Sequence, residues 1–283
     1  MAFYVLNGVA FGCLLFVLAS GFTLALGLVR VVNIAHGAFY MLGAFVAYSV
    51  VTATGNFVFA IVASALLVMV LAAVLQAGFL KRFQMDPLRQ VLFTYGVTLI
   101  IAEAARHIWG GYPMLLAAPP HLRGVLLAGP LSLPRYRAFV IGVAAVLMLV
   151  LWLMMERTRI GATVRACIDD REIASTMGID VERVLTLIFA FAGLLAGIAG
   201  AIGAPFIGAY QGVQFDILTL TLVVVVIGGL GSIFGAFLGS LLIGIISSVG
   251  VGVAPELSYF LLFGPMIIIL TVRPRGLLGR EDL

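Results

Sequence analysis

Residues 31–45 read VVNIAHGAFYMLGAF and set Asn33, His36 and Gly37 within five positions of one another. They stand in a run, residues 31–80, that contains no Asp, Glu, Lys or Arg. Polar atoms in so apolar a setting need partners, because lipid offers none. The chemistry these residue types offer is hydrogen bonding at a helix break. Unpaired N–H groups and the positive dipole end at a helix start favour an anion such as a carboxylate. Interrupted helices of this kind also line the paths of membrane carriers. Tyr40, one turn further on, joins the candidate set. A tight turn at the membrane face, with Asn33 as helix cap and His36 in water, accounts for the same residues, and both readings stand at this point.

Two further clusters carry chemistry or packing. In GGLGSIFGAFLGS, residues 228–240, glycines fall at 228, 229, 231, 235 and 239. Glycine costs a helix about 1 kcal/mol relative to alanine, so the pattern predicts a break, with Gly228, Gly229, Gly231 and Ser232 as candidate path residues, followed by a closely packed helix. Plain helix packing explains it too. The pieces LGAFVAY at 42 and FGAFLGS at 234 are faintly alike, which suggests two matched interrupted helices around a central site. The loop RTRIGATVRACIDDREIASTMGIDVERV, residues 157–184, gathers a large share of the charge in a chain with 16 Lys+Arg and 12 Asp+Glu. Residues 166–177 can form a short helix carrying Asp170, Ala174 and Met177 on one face and ended by Gly178. So compact a mixed-charge element suits docking to a soluble partner, with a solvated loop as the alternative.

Other chemistries fail on inventory. The single lysine, Lys81, excludes a G-x-x-x-x-G-K-[ST] phosphate loop, so the chain is not itself a P-loop ATPase. His36, His107 and His121 are scattered, no H-E-x-x-H or G-x-S-x-G occurs, and Cys13 and Cys167 form neither a metal cluster nor a disulfide framework. No cofactor or metal is expected on this chain. Carboxylates are scarce in the apolar runs: Glu103 lies near a helix end, and Asp216 and Glu256 are placed at span borders, which argues against a proton-driven carrier. With no basic stripe, nucleic acid is not an expected partner.

Elements follow from composition. Hydrophobic residues make up 63% of 283 positions and charged ones 10%, against roughly 25% charged in soluble domains. This is the composition of an all-α polytopic membrane protein embedded in a lipid bilayer. A core of about 30 Å needs about 20 helical residues, and helices are expected near 5–28, 37–53, 57–79, 88–108, 138–155, 184–205, 217–234, 236–252 and 257–272. That gives about 8–9 spans, some broken or short, with 37–53 the short one. The segment 110–133 reads as an external connection. Placing the loop 157–183 and the C-terminus inside collects Arg30, Lys81, Arg82, Arg89, Arg157, Arg159, Arg165, Arg171, Arg183, Arg273, Arg275 and Arg280 there. Arg106, Arg123, Arg135 and Arg137 remain outside, which puts the N-terminus outside.

The strings LGLVRVVNIAHGAFYMLGAFVAY, DPLRQVLFTYGVTLIIAEAARHIWG, GATVRACIDDREIASTMGID, VVVVIGGLGSIFGAFLGSLLIG and RPRGLLG, in this order, resemble the membrane permeases of branched-chain amino acid ABC importers over nearly the whole chain. The NxAHG form and the length resemble the smaller, LivH-type permease. The resemblance implies a single permease domain over 1–283, a LivM-type second permease forming a heterodimer, two ATP-binding subunits that use ATP and Mg, and a periplasmic solute-binding protein. It implies a bacterial inner membrane and an amino-acid substrate moved by alternating access. Asn33, His36 and Gly37 match the family's string, and Arg165, Ala166, Asp170, Ala174 and Gly178 its cytoplasmic coupling segment, to which Arg171 and Glu172 are added. Thr94 and Thr98 are expected as hydroxyls on the path. Tyr95 and Asp216 depart from the family pattern, which points toward a related substrate, since urea, amide and aromatic-acid importers resemble the same family. A stand-alone secondary carrier or channel is the competing class, and an intramembrane enzyme lacks any catalytic pair.

Overall fold

The computed structural model describes residues 1–29, 33–83, 86–128 and 131–279. Arg30 and Arg280, placed inside above, lie outside them. Eleven α-helices run in chain order: α1 (Ala2–Val29), α2 (Ala35–Thr54), α3 (Phe57–Gly78), α4 (Pro87–Trp109), α5 (Arg135–Arg157), α6 (Arg159–Asp169), α7 (Arg171–Thr176), α8 (Val181–Ile207), α9 (Val213–Gly228), α10 (Ile233–Val253) and α11 (Ser258–Val272). Seven of them, α1 to α5, α8 and α10, are long and apolar enough to cross a membrane, while α9 and residues Phe260–Val272 of α11 are shorter apolar helices. An antiparallel hairpin, β1 (Val125–Ala128) and β2 (Leu131–Pro134), precedes α5.

Local sequence sets the ends. Gly55, at φ +69, closes α2, and the Asn56 side chain accepts from Phe59 N at 3.0 Å to open α3. Asp86 accepts from Arg89 N ahead of Pro87, whose missing N–H suits the first helical position. Asp180 and Ser232 cap α8 and α10 in the same way.

Two corrections concern length. The helix expected at 37–53 begins two residues earlier and has 20 residues, about 30 Å at 1.5 Å each, so it is a full span. The shorter apolar helices are α9, with 16 residues or about 24 Å, and α11, with 15. The first of these departs from its expected position. Its expected range, 217–234, is shifted because Gly229 and Gly231 take φ of +100 and +79 and stop it at Gly228.

Small residues let backbones meet. Gly8 and Gly12 of α1 face Gly244 and Ser240 of α10; Gly193 and Gly197 of α8 face Val68 and Ser64 of α3; Gly43 of α2 faces Gly197. Helices α1 and α8 are the most enclosed, while most of α5 faces outward. The turn before α4, α6 with α7, and the α9–α10 turn share one end of the bundle; Gly55 and the β-hairpin lie at the other.

Candidate functional site

The approach to α2 starts deep. At its start Ile34 N donates to Thr94 Oγ1 at 3.3 Å, Ala35 N to Asn33 Oδ1 at 3.0 Å, and His36 N to Asn33 O at 3.2 Å. Asn33 is therefore a cap, as the turn reading expected. His36 is not in water: it is fully buried, with Nε2 3.0 Å from Leu18 O and Phe22 and Phe39 around the ring. A carbonyl only accepts, so Nε2 carries the proton, and among the described residues Nδ1 has no partner. Leu18 is 11 residues from the end of α1, about 16 Å, and Thr94 is seven residues from the start of α4, about 10 Å. Ile34 and His36 thus sit well inside the bundle rather than at its face.

Gly37 brings α2 onto α9. A Cβ there would lie 2.1 Å from Gln214 O, so the two helix starts meet backbone to backbone. Gly228, Gly229, Gly231 and Ser232 lie at the bundle end. Gly228 packs on Gly235, Gly231 on Gly27, and Gly229 on Gly279 of the C-terminal tail, whose Leu277 and Leu278 N–H groups donate to Ile227 O and Gly228 O. Ser232 is spent on capping α10. Thr94 and Thr98 are buried, and both hydroxyls donate to their own helix, to Gln90 O and Thr94 O. Tyr40 is buried with its hydroxyl against Gly203 and, among the described residues, without a hydrogen-bond partner.

Sequence reasoning missed the α9 side of this meeting point. Asp216, expected at a span border, lies in the first turn of α9, exposed, with Oδ2 accepting from Tyr210 Oη at 2.8 Å. Beside it, Phe215 approaches Tyr95 of α4 at 6.4 Å between ring centroids. The signal was present in the departures at Tyr95 and Asp216, but nothing in one dimension joins positions so far apart.

The 157–184 segment also differs from expectation. One helix was expected over 166–177; there are two, because Asp170 breaks the chain at φ −152 and caps α7, accepting from Glu172 N at 2.8 Å and Ile173 N at 2.9 Å. Asp170 therefore shares no helix face with Ala174, which is buried at 1% exposure, whereas Ile173 and Met177 are 59% and 76% exposed. Gly178, at φ +85, closes the turn. The Arg165 guanidinium donates to Met155 O and ties α6 to α5. Ala166 is half-buried, and Arg171 and Glu172 lie in the first turn of α7. Burial pushes the Cys167 thiol above its usual range, with the neighbouring Arg171 cation drawing it partly back.

Comparison with known proteins adds an independent line. The family model described as "Branched-chain amino acid transport system / permease component" matches residues 4–270. The high-affinity branched-chain amino acid transport system permease protein LivH of Escherichia coli (strain K12) is 27% identical over 299 residues, 98% of this chain and 95% of that protein. The corresponding BraD protein of Pseudomonas aeruginosa is 27% identical over 294 residues, with the same coverage. The fructose import permease protein FrcC of Rhizobium meliloti is 36% identical over 143 residues, 46% of this chain and 39% of that protein. No solved structure matches the chain.

Proposed function

The chain belongs to the permease components of branched-chain amino acid transport systems, and from that premise we propose that it forms half of the path by which an ATP-driven importer admits branched-chain or related hydrophobic amino acids. It is the non-catalytic transmembrane subunit. Its partners are a LivM-type second permease in a heterodimer, two ATP-binding subunits that hold ATP and Mg, and a periplasmic solute-binding protein. The setting is the bacterial inner membrane, with the N-terminus outside and the 157–183 segment in the cytoplasm. The observation that carries this reading is the near full-length likeness to LivH and BraD.

The geometry supports a division of labour. In this conformation Asn33, His36, Gly37, Tyr40, Thr94 and Thr98 close the deep wall of the path, and they meet substrate when α2 and α9 part. The Gly228–Ser232 turn serves as the inner end of that wall. The α6–α7 segment, with Arg165, Ala166, Asp170, Arg171, Glu172, Ala174 and Gly178 shaping it, presents Ile173 and Met177 to an ATP-binding subunit. Proteoliposomes test the class. The complete complex with its binding protein takes up leucine when supplied with ATP and Mg, and this chain alone takes up none. Uptake by this chain alone would make it a secondary carrier or channel and overturn the proposal.

A further inference from the structure

Asp216 is a charged side chain in the wrong place for lipid. It lies 12 residues before the end of α9, about 18 Å along the helix, and two residues beyond Gln214, whose carbonyl touches Gly37 at the deep break. An ionised carboxylate on an apolar helix faces water or another subunit, because hydrocarbon does not solvate it. Yet in this chain it is exposed, on the same outward wall as Thr219 one turn on. Among the described residues Asp216 has no ion pair: its partner is the neutral Tyr210 hydroxyl, which donates to Oδ2. Glu103 of α4, by contrast, is neutralised by Arg106 at 3.1 Å. Its sequence neighbour Phe215, 38% exposed, is in tilted ring contact with Tyr95 of α4, 43% exposed.

We propose that Asp216, positioned by Tyr210 and walled by Tyr95 and Phe215, is a cation-recognition subsite on the path, taking the ammonium group of a zwitterionic substrate. An ammonium N–H donates to Oδ1, the oxygen Tyr210 leaves free, and the ring faces add cation–π attraction. The apolar portion of the substrate rests on the Tyr95 and Phe215 rings. This assignment rests on the reading of the chain as a path-forming permease.

The test has two arms on the assembled complex. In the first, Thr219→Cys is placed in a Cys13→Ser, Cys167→Ser background and treated with 2-aminoethyl and 2-sulfonatoethyl methanethiosulfonate, one cationic and one anionic. A unit negative charge about 6 Å away in water separates their rates by roughly tenfold, so the cationic reagent reacts faster with Asp216 present and that preference collapses in Asp216→Asn. In the second, Asp216→Asn slows ATP-driven leucine uptake by about tenfold or more, Asp216→Glu recovers part of it, and the yield of assembled complex is unchanged. An introduced thiol at position 219 that stays inert in every nucleotide state, a charge preference that survives Asp216→Asn, normal uptake by Asp216→Asn, or failure of Asp216→Asn to assemble would each overturn the subsite. Should the wild-type complex not move leucine, the substrate reading above falls instead, and the reagent arm still decides this one.

Discussion

Replacing Gly37 with alanine adds one methyl group at the point where α2 meets α9. The added carbon would sit 2.1 Å from Gln214 O and 3.0 Å from both Gln214 C and Leu218 Cβ. Carbon and carbonyl oxygen ordinarily come no closer than about 3.3 Å, so the helices must part by about 1 Å. The obstacle is backbone in a buried helical turn and cannot rotate aside. Overpacking of this kind costs about 1–3 kcal/mol, and with no rotamer escape the upper end applies. The gain in helix propensity returns about 1 kcal/mol, leaving a net loss of about 2 kcal/mol. Gly96→Ala, in α4, is the matched control: its Cβ would meet nothing within 4 Å, so only the propensity gain remains. Thermal unfolding of the purified complex, followed by tryptophan fluorescence, should show Gly37→Ala lower by about 5 °C, from about 2–4 °C per kcal/mol for chains of this order. Gly96→Ala should match or exceed the wild type. A Gly37→Ala midpoint at or above that of Gly96→Ala would refute the backbone contact between α2 and α9.

Three other outcomes follow from named contacts. His36→Leu removes one buried hydrogen bond, worth about 1 kcal/mol, while keeping an apolar side chain between Phe22 and Phe39; complex yield by quantitative immunoblot should stay within about twofold while leucine uptake falls, and unchanged uptake would remove His36 from the path. Ile173→Asp and Met177→Asp should abolish stimulation of ATPase activity by loaded binding protein without lowering membrane insertion, since both side chains are exposed; full stimulation in both would separate α7 from the ATP-binding subunits. The raised Cys167 thiol holds less thiolate at any given pH than a free thiol does, so its alkylation rate should rise with pH along a curve displaced to higher pH and should jump on denaturation; a native-state rate equal to that of free cysteine would contradict its burial.

Much of the architecture was legible because charge-free runs and local stop signals are one-dimensional. The 228–231 glycines mark an end that the backbone chemistry itself requires, and the expected spans fall on the observed helices except 217–234, which overruns the turn between α9 and α10. What pattern did not reveal was which helices meet. Water drives an amphipathic face toward a soluble core, but in lipid nearly every face is apolar, so the choice of partner passes to small residues such as Gly37, Gly43 and Gly197, whose contacts depend on three-dimensional approach. Hence the polar and glycine residues at 33–37 were visible, while the contact of Gly37 with Gln214 was not. Asp170 misled for a different reason: an aspartate fits a helix face by spacing and a helix start by chemistry, and only the backbone at φ −152 selects the cap.

Tyr95 and Asp216 show what the fold adds to a resemblance. Each alone is a departure from a family string, and a lone departure is as readily drift as design. Drift would scatter such changes over the lipid-facing surface, where an aspartate is expelled on cost and a tyrosine has no reason to accompany it. Instead the two lie on one wall, joined through Phe215, with Tyr210 already orienting the carboxylate. Four polar or aromatic residues drawn from α4, the 208–212 connection and α9 are linked by these two contacts, near the point where Gln214 of α9 meets Gly37 of α2. On the proposed subsite, that linkage ties the departures to the substrate rather than to how the helices hold together.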